Sequence, residues 1–254
     1  MYEFTLVSAL SLVLLGGVAG MINTLAGGGS NLTLPALMMM GLPPDVANAT
    51  NRVGIFFQSL TAVIGFKQHQ KLDTPDLKKI VSLTLIGGVL GGLSASYLPS
   101  ELLKPALLIA MITMAGIIVF KPAVVAPPEG TVPLAVSESS RSVPLLLMAG
   151  FYGGFVQAGV GFILIAAIAG SLRYDLVRTN ALKVMCTLGF TSVALAIFIV
   201  NDQVLWLPGL VLAVGSIIGA HLAVNISINL SQTTLKWILF VMTIIASAAA
   251  LLIG

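Results

Sequence analysis

The chain has 254 residues, 57% of them hydrophobic and 8% charged, with a formal net charge of +3. A soluble domain carries about 25% charged residues, so there is too little polar side chain here to cover the apolar sequence in water. The twelve basic residues are scattered over short loops, which gives no nucleic-acid footprint, and the single cysteine excludes an internal disulfide, CxxC redox chemistry and a thiolate metal cluster.

The first predicted element begins at once. Between Glu3 and Asp45 lie 41 residues without a charged side chain, where about 20 suffice to cross a bilayer. No basic region precedes this run, so a cleavable signal peptide is not expected. A polar stretch, N-T-L-A-G-G-G-S-N at 23–31, interrupts it. Glycine lets a helix unwind and brings backbone close to a ligand. A broken or re-entrant segment is therefore expected at Gly27, Gly28 and Gly29, with a half-helix starting near Ser30. Such a terminus offers free N–H groups and a positive dipole end to an anion. Asn23 and Asn31 flank it with side-chain amides. Met38, Met39 and Met40 are consecutive, so they point in different directions and read as packing.

A-T-N-R at 49–52 opens the next predicted helix, placing Thr50, Asn51 and Arg52 at its start. Spans at about 80–98 and 102–120 follow. The Pro-rich stretch 122–142 then reads as a linker loop, dividing a membrane repeat at 1–121 from a second at 143–254. The second repeat follows the order of the first. A-G-F-Y-G-G-F-V-Q-A-G-V-G at 149–161 carries Gln157, Gly159 and Gly161. R-T-N-A-L-K at 178–183 carries Thr179, Asn180 and Lys183. Further spans lie at 204–224 and 235–253. Trp206, Trp237 and Tyr97 fall at span ends as interfacial anchors, and His221 reads as a structural residue.

The expected fold is thus an all-α polytopic membrane protein of two homologous, inverted repeats, each with four membrane segments and the first of each broken at glycine. If each broken segment returns to its starting side, nine of the twelve basic residues share one face. That fits the positive-inside rule and places both termini outside. A full crossing of 4–41 and 143–171 remains the alternative course.

Charge selects the sign of the solute. All nine acidic residues lie in loops or at segment ends, whereas Arg52 and Lys183 follow the two Thr-Asn pairs into the membrane. A buried cation needs a partner, and a small anion would supply one. No nucleophilic triad, metal-ligand set or phosphate-binding loop occurs, so neither an enzyme nor a cofactor is expected.

The motifs G-M-I-N-T-L-A-G-G-G-S-N-L-T-L-P-A-L at 20–37, G-L-P-P at 41–44 and A-N-A-T-N-R at 47–52 resemble the TauE/SafE, or sulfite exporter, family of membrane permeases. The resemblance covers essentially the whole chain. The family's first motif falls on Asn23, Gly27, Gly28, Gly29 and Pro35, with Thr50 and Asn51. Its second-half counterpart falls on Gly159, Gly161, Thr179 and Asn180, without a full glycine run or a proline matching Pro35. The resemblance implies a multi-pass carrier in the cytoplasmic membrane with about eight segments, exporting sulfite or an organosulfonate such as sulfoacetate by alternating access. Partners are then the bilayer and the anion, with protons as a candidate coupling ion and the oligomer open. An anion channel and a non-transporting scaffold for an assembly or redox system are the rival readings.

Overall fold

The computed structural model describes residues 5–72, 74–120, 127–128, 130–231, 233–234, 237–238 and 241. The expected span at 235–253 falls almost wholly outside them. The described chain is helical: α1 (Leu6–Leu25), α2 (Ser30–Met39), α3 (Pro44–Gln68), α4 (Leu77–Tyr97), α5 (Ser100–Phe120), α6 (Ser142–Phe155), α7 (Val160–Ile165), α8 (Leu176–Val200) and α9 (Trp206–Asn229). A π-helical turn, Ala166–Ser171, continues α7. Among these, α1, α4, α8 and α9 are long and apolar enough to cross a membrane. At about 1.5 Å per residue, the 20 residues of α1 match a hydrocarbon core of about 30 Å. The chain is a multi-pass membrane protein.

Side-chain chemistry sorts the helices by depth. Leu6, Leu10 and Leu14 of α1, Ile86 and Leu90 of α4, and Leu207, Leu210 and Val214 of α9 are large, apolar and exposed. They form the face that lipid covers. Helix α3 is inverted in this respect: Asn48, Thr50, Asn51, Arg52, Gln58 and Ser59 are all buried. Its polar stripe lowers its mean hydropathy and turns inward, towards α1, α2 and the end of α6.

Lipid tails are as apolar as leucine, so helices in a bilayer associate chiefly through close packing and hydrogen bonds. The closest packing here joins helices that are not neighbours along the chain. α1 packs most extensively on α9, and α4 on α6. A Cβ at Gly215 or Gly219 of α9 would lie 1.9 or 2.0 Å from the carbonyl oxygens of Val13 and Gly17 in α1. A Cβ at Gly87 or Gly91 of α4 would lie 2.2 or 2.0 Å from those of Leu147 and Phe151 in α6. The contact is reciprocal, since Gly16 and Gly20 of α1 meet Leu212 and Ser216, while Gly150 and Gly154 of α6 meet Thr84 and Gly88. α3 packs on α9 and α8 on α4, giving two groups, α1–α3–α9 and α4–α6–α8, which α3 joins by packing on α8 almost as extensively as α4 does.

Two expectations change. The Thr-Asn pairs do not open their helices: α3 starts at Pro44 and α8 at Leu176, so Asn51 and Asn180 lie within them. Pro44 has no N–H to leave unpaired and its fixed φ suits a first helical position, while Asp175 caps α8 by accepting from the Arg178 N–H at 2.9 Å. The described part of the linker is also docked rather than free. Leu134 N–H donates to the Leu172 carbonyl at 2.9 Å, and Val136 N–H to Asp76 Oδ2 at 2.8 Å.

Replacing Gly91 or Gly219 with Leu should separate its helix pair and cost at least about 1–3 kcal/mol, the usual penalty of overpacking. A lowered unfolding temperature of the detergent-purified protein reports it. Gly17→Ala is the matched control, because its Cβ would meet Gly215 O at an ordinary 3.7 Å.

Candidate functional site

Both first helices end in a glycine-bearing loop, and the two loops meet. After α1, Gly27 takes φ 95°; after α6, Gln157 and Gly159 take φ 69° and 79°. A Cβ on Gly27 would lie 2.2 Å from Gly161 Cα, and one on Gly161 equally close to Gly27 Cα. Here the two backbones touch because neither residue has a side chain. The break after α1 is knotted by amides. Gly29 N–H donates to Asn23 Oδ1 at 3.0 Å, Asn23 Nδ2 to Gln58 Oε1 at 3.1 Å, and Gln58 Nε2 to Thr24 Oγ1 at 3.1 Å.

Arg52 and Lys183 are buried, and each is held by the end of the other half's first helix. From α3, Arg52 donates to the carbonyls of Gly153, Gly154 and Phe155 at the end of α6, and to Gln157 Oε1. From α8, Lys183 Nζ donates to the carbonyls of Thr24 and Leu25 at the end of α1, both at 2.9 Å. Helix C-termini carry unpaired carbonyls and about half a negative charge, which suits a cation. Each cation also reaches an asparagine on its own helix, Arg52 to Asn48 Oδ1 at 3.5 Å and Lys183 to Asn180 Oδ1 at 2.9 Å. The ion pairs among the described residues, Lys79–Asp76 and Arg178–Asp175, lie elsewhere, at helix starts. The two cations therefore bridge the two bodies without carboxylates.

Beside the touching glycines is a small cavity of about 10 Å³, room for about one water. Asn23, Gly27, Gln157, Gly161 and Lys183 line it, together with Gln58, Val160, Val184 and Thr187. Gln157 is the strained member, since a left-handed φ costs a non-glycine residue about 1–2 kcal/mol. Its amide is fixed by Arg52 on one side and by donation to Thr191 Oγ1 at 3.2 Å on the other.

The remaining sequence candidates sit around this cavity rather than on its wall. Asn51 Oδ1 accepts from Thr33 Oγ1 at 2.6 Å, Thr50 Oγ1 accepts from Leu205 N–H at 3.0 Å, and Thr179 Oγ1 donates to the Tyr174 carbonyl at 3.2 Å. Arg52 and Asn180 act through Gln157 and Lys183 respectively. Gly28 accepts from the Asn31 N–H at 3.1 Å within the first turn of α2, and Gly159 caps α7. Asn31 is buried with neither amide atom paired among the described residues, as are Ser30 Oγ and Asn51 Nδ2. Unused hydrogen-bonding capacity at this depth is costly and marks the start of α2 as polar ground beside the cavity loop.

Gln58, Thr187 and Asn48 are not singled out by the sequence motifs. Their signal is spacing: Asn51 and Gln58, and Asn180, Lys183 and Thr187, recur at three-, four- and seven-residue intervals along one helix face. By helix register Asn180 corresponds to Asn48, each being the fifth residue of a 25-residue helix.

Comparison with known proteins gives the same picture over the whole chain. The family model for sulfite exporter TauE/SafE matches residues 12–250. A probable membrane transporter protein of Haemophilus influenzae is 28% identical over 243 residues, 92% of this chain and 90% of its own. The probable membrane transporter protein YfcA of Escherichia coli is 26% identical over 92% of this chain and 86% of its own. A probable membrane transporter protein, ORF9, of a Sinorhizobium species is 26% identical over 89% and 86%.

Truncating Arg52 to Met strands the three carbonyls at the end of α6 and one side of Gln157. Hydrogen bonds to a charged group contribute about 1.5–3 kcal/mol. The variant is expected to unfold at a clearly lower temperature or fail to accumulate in the membrane. Asn48→Ala, which removes weaker contacts, should lose about 1 kcal/mol; thermal unfolding of both proteins in one detergent gives the comparison.

Proposed function

Because the chain belongs to the sulfite exporter TauE/SafE family and is a membrane transporter, we propose that it exports a small sulfur-containing anion, sulfite or an organosulfonate such as sulfoacetate, across the cytoplasmic membrane by alternating access. The observation that carries this reading is the small cavity beside the two glycine loops, with the Lys183 ammonium on its wall and no carboxylate among its lining residues. Asn23, Gln58, Gln157 and Thr187 place amide and hydroxyl groups around the same space, where sulfonate-type oxygens accept hydrogen bonds.

The halves 1–121 and 143–254, joined by the linker 122–142, are inverted repeats in this reading. Its support is the reciprocal glycine packing and the paired cation contacts. Transporters built this way bind near the mid-plane at the repeat interface, where broken helices expose backbone. The rocking units are the packed bodies α1–α3–α9 and α4–α6–α8 rather than the sequence halves. Substrate widens the cavity between them, and the Arg52 and Lys183 bridges hold the bodies in register as access alternates. Protons remain the candidate coupling ion, moving with the anion.

The test is flux into proteoliposomes with sulfite, sulfoacetate, taurine, sulfate and thiosulfate. Saturable uptake and counterflow of one sulfur anion are expected, with Gln58→Ala and Asn51→Ala weakening transport at equal protein abundance. Single-channel currents would reverse the mechanism. Absence of flux across the panel from folded protein would remove the sulfur-anion reading.

A further inference from the structure

The docked linker bounds a second cavity, well away in composition from the first. Leu134 and Val136 fasten it to the loops ahead of α8 and α4. Between these three segments lies a space of about 320 Å³, and small-molecule sites begin at about 300 Å³. None of its lining residues lines the cavity at the glycine loops. The three segments and their flanks carry Lys78, Lys79, Arg141 and Arg173, so by the positive-inside rule this face is cytoplasmic.

The wall carries both signs of charge without pairing them. Asp76 and Glu138 stand on it with Arg178. Among the described residues, however, Arg178 pairs through Nε with Asp175 and Asp76 with Lys79, each at 3.6 Å. The linker occupies one oxygen of each carboxylate: Asp76 Oδ2 accepts the Val136 N–H at 2.8 Å, and Glu138 Oε2 the Ala135 N–H at 2.7 Å. An ionised carboxylate has about four acceptor positions, so both keep capacity for a donor. The Tyr174 and Thr74 side chains also line the space; their hydroxyls face each other, yet Thr74 Oγ1 is buried without completing a hydrogen bond. Pro75, Pro133 and Leu134 make the wall apolar elsewhere. A simple anion would meet two carboxylates here, and a simple cation would meet a guanidinium. A molecule bearing both charges finds a partner at each end.

We propose that this cavity is a binding site for a free α-amino acid with an apolar side chain. Its ammonium group donates to Asp76 and Glu138, and its carboxylate accepts from Arg178 and the Tyr174 hydroxyl. The side chain rests on Pro133 and Leu134. Bound there, the amino acid ties the linker to the first turn of α8, the helix that carries Lys183. Nothing in this site depends on which solute the other cavity carries.

The test is equilibrium binding of labelled L-leucine to the detergent-purified wild-type protein. Two competitors keep the isobutyl group and remove one charge each: 4-methylpentanoate lacks the ammonium, and 3-methylbutylamine lacks the carboxylate. Each is expected to compete at least about tenfold more weakly than L-leucine, the difference that hydrogen bonds to a charged group make. Arg178→Gln and Glu138→Gln should each weaken L-leucine binding by a similar factor. Gln58→Ala, at the other cavity, should leave it unchanged. Absence of L-leucine binding, or equal competition by either analogue, overturns the proposal. Undiminished binding in either glutamine variant, or loss of binding in folded Gln58→Ala, overturns it too by placing the amino acid elsewhere. Arg178 and its ion-pair partner are exposed, so removing that pair costs the fold little. Should a variant still fail to fold, the wild-type competition decides alone.

Discussion

Two cations inside a membrane protein with no carboxylate among their described partners set the problem that the rest of this architecture answers. Arg52 and Lys183 are buried, and an isolated buried charge at this depth is expensive. The answer is to end a helix at each of them. α6 stops where its last carbonyls reach Arg52, and α1 stops where its last carbonyls reach Lys183. Each break therefore supplies backbone partners to a cation. Because the cation always belongs to the other half, neither half can satisfy its own charge alone.

The same mutual dependence governs packing. Glycines at four-residue spacing let α1 approach α9 and α4 approach α6 until backbone meets backbone. Small-residue contacts are the main source of cohesion when lipid competes equally for apolar side chains. Two groups of helices arise in this way, and the seam between them holds Arg52 and Lys183, among the largest side chains the fold buries. Gly27 against Gly161 and the two charge bridges join there, around a space barely large enough for one water. Rigid bodies around a thin polar seam are the elements that a moving carrier requires.

Much of this was legible in the chain. The glycine run at 27–29 announced the end of α1 because a triple glycine amid apolar sequence has no packing purpose that demands three. The spans at 80–98, 102–120 and 204–224 correspond to α4, α5 and α9 within a few residues, since long apolar runs bounded by polar loops leave little choice. The glycine spacings at 16/20, 87/91, 150/154 and 215/219 are visible too. They mark helix faces that seek a close neighbour but do not say which neighbour, because a partner's identity is encoded nowhere near them. The Thr-Asn match hid Asn48 for a related reason. Sequence alignment pairs like letters, whereas the cations select the asparagine one turn before them, at whatever letter that falls. Charge alone predicts a bound anion as the partner of Arg52; five acceptors from the chain already surround it.

The exchange of helices between halves also bears on how the chain is made. α1 leaves the ribosome first, yet the helix whose glycines receive it, α9, begins only at Trp206. Throughout synthesis of residues 26–205, the glycine face of α1 must wait in the bilayer beside lipid or a chaperoning insertase. The second body has a shorter wait, from α4 to α6. Assembly is thus ordered, with α4–α6–α8 closing before α1–α3–α9, and a nascent chain halted before α9 holds Lys183 against α1 with nothing behind it. Quality control at the membrane would meet that species as an unfinished bundle with its charge already in place.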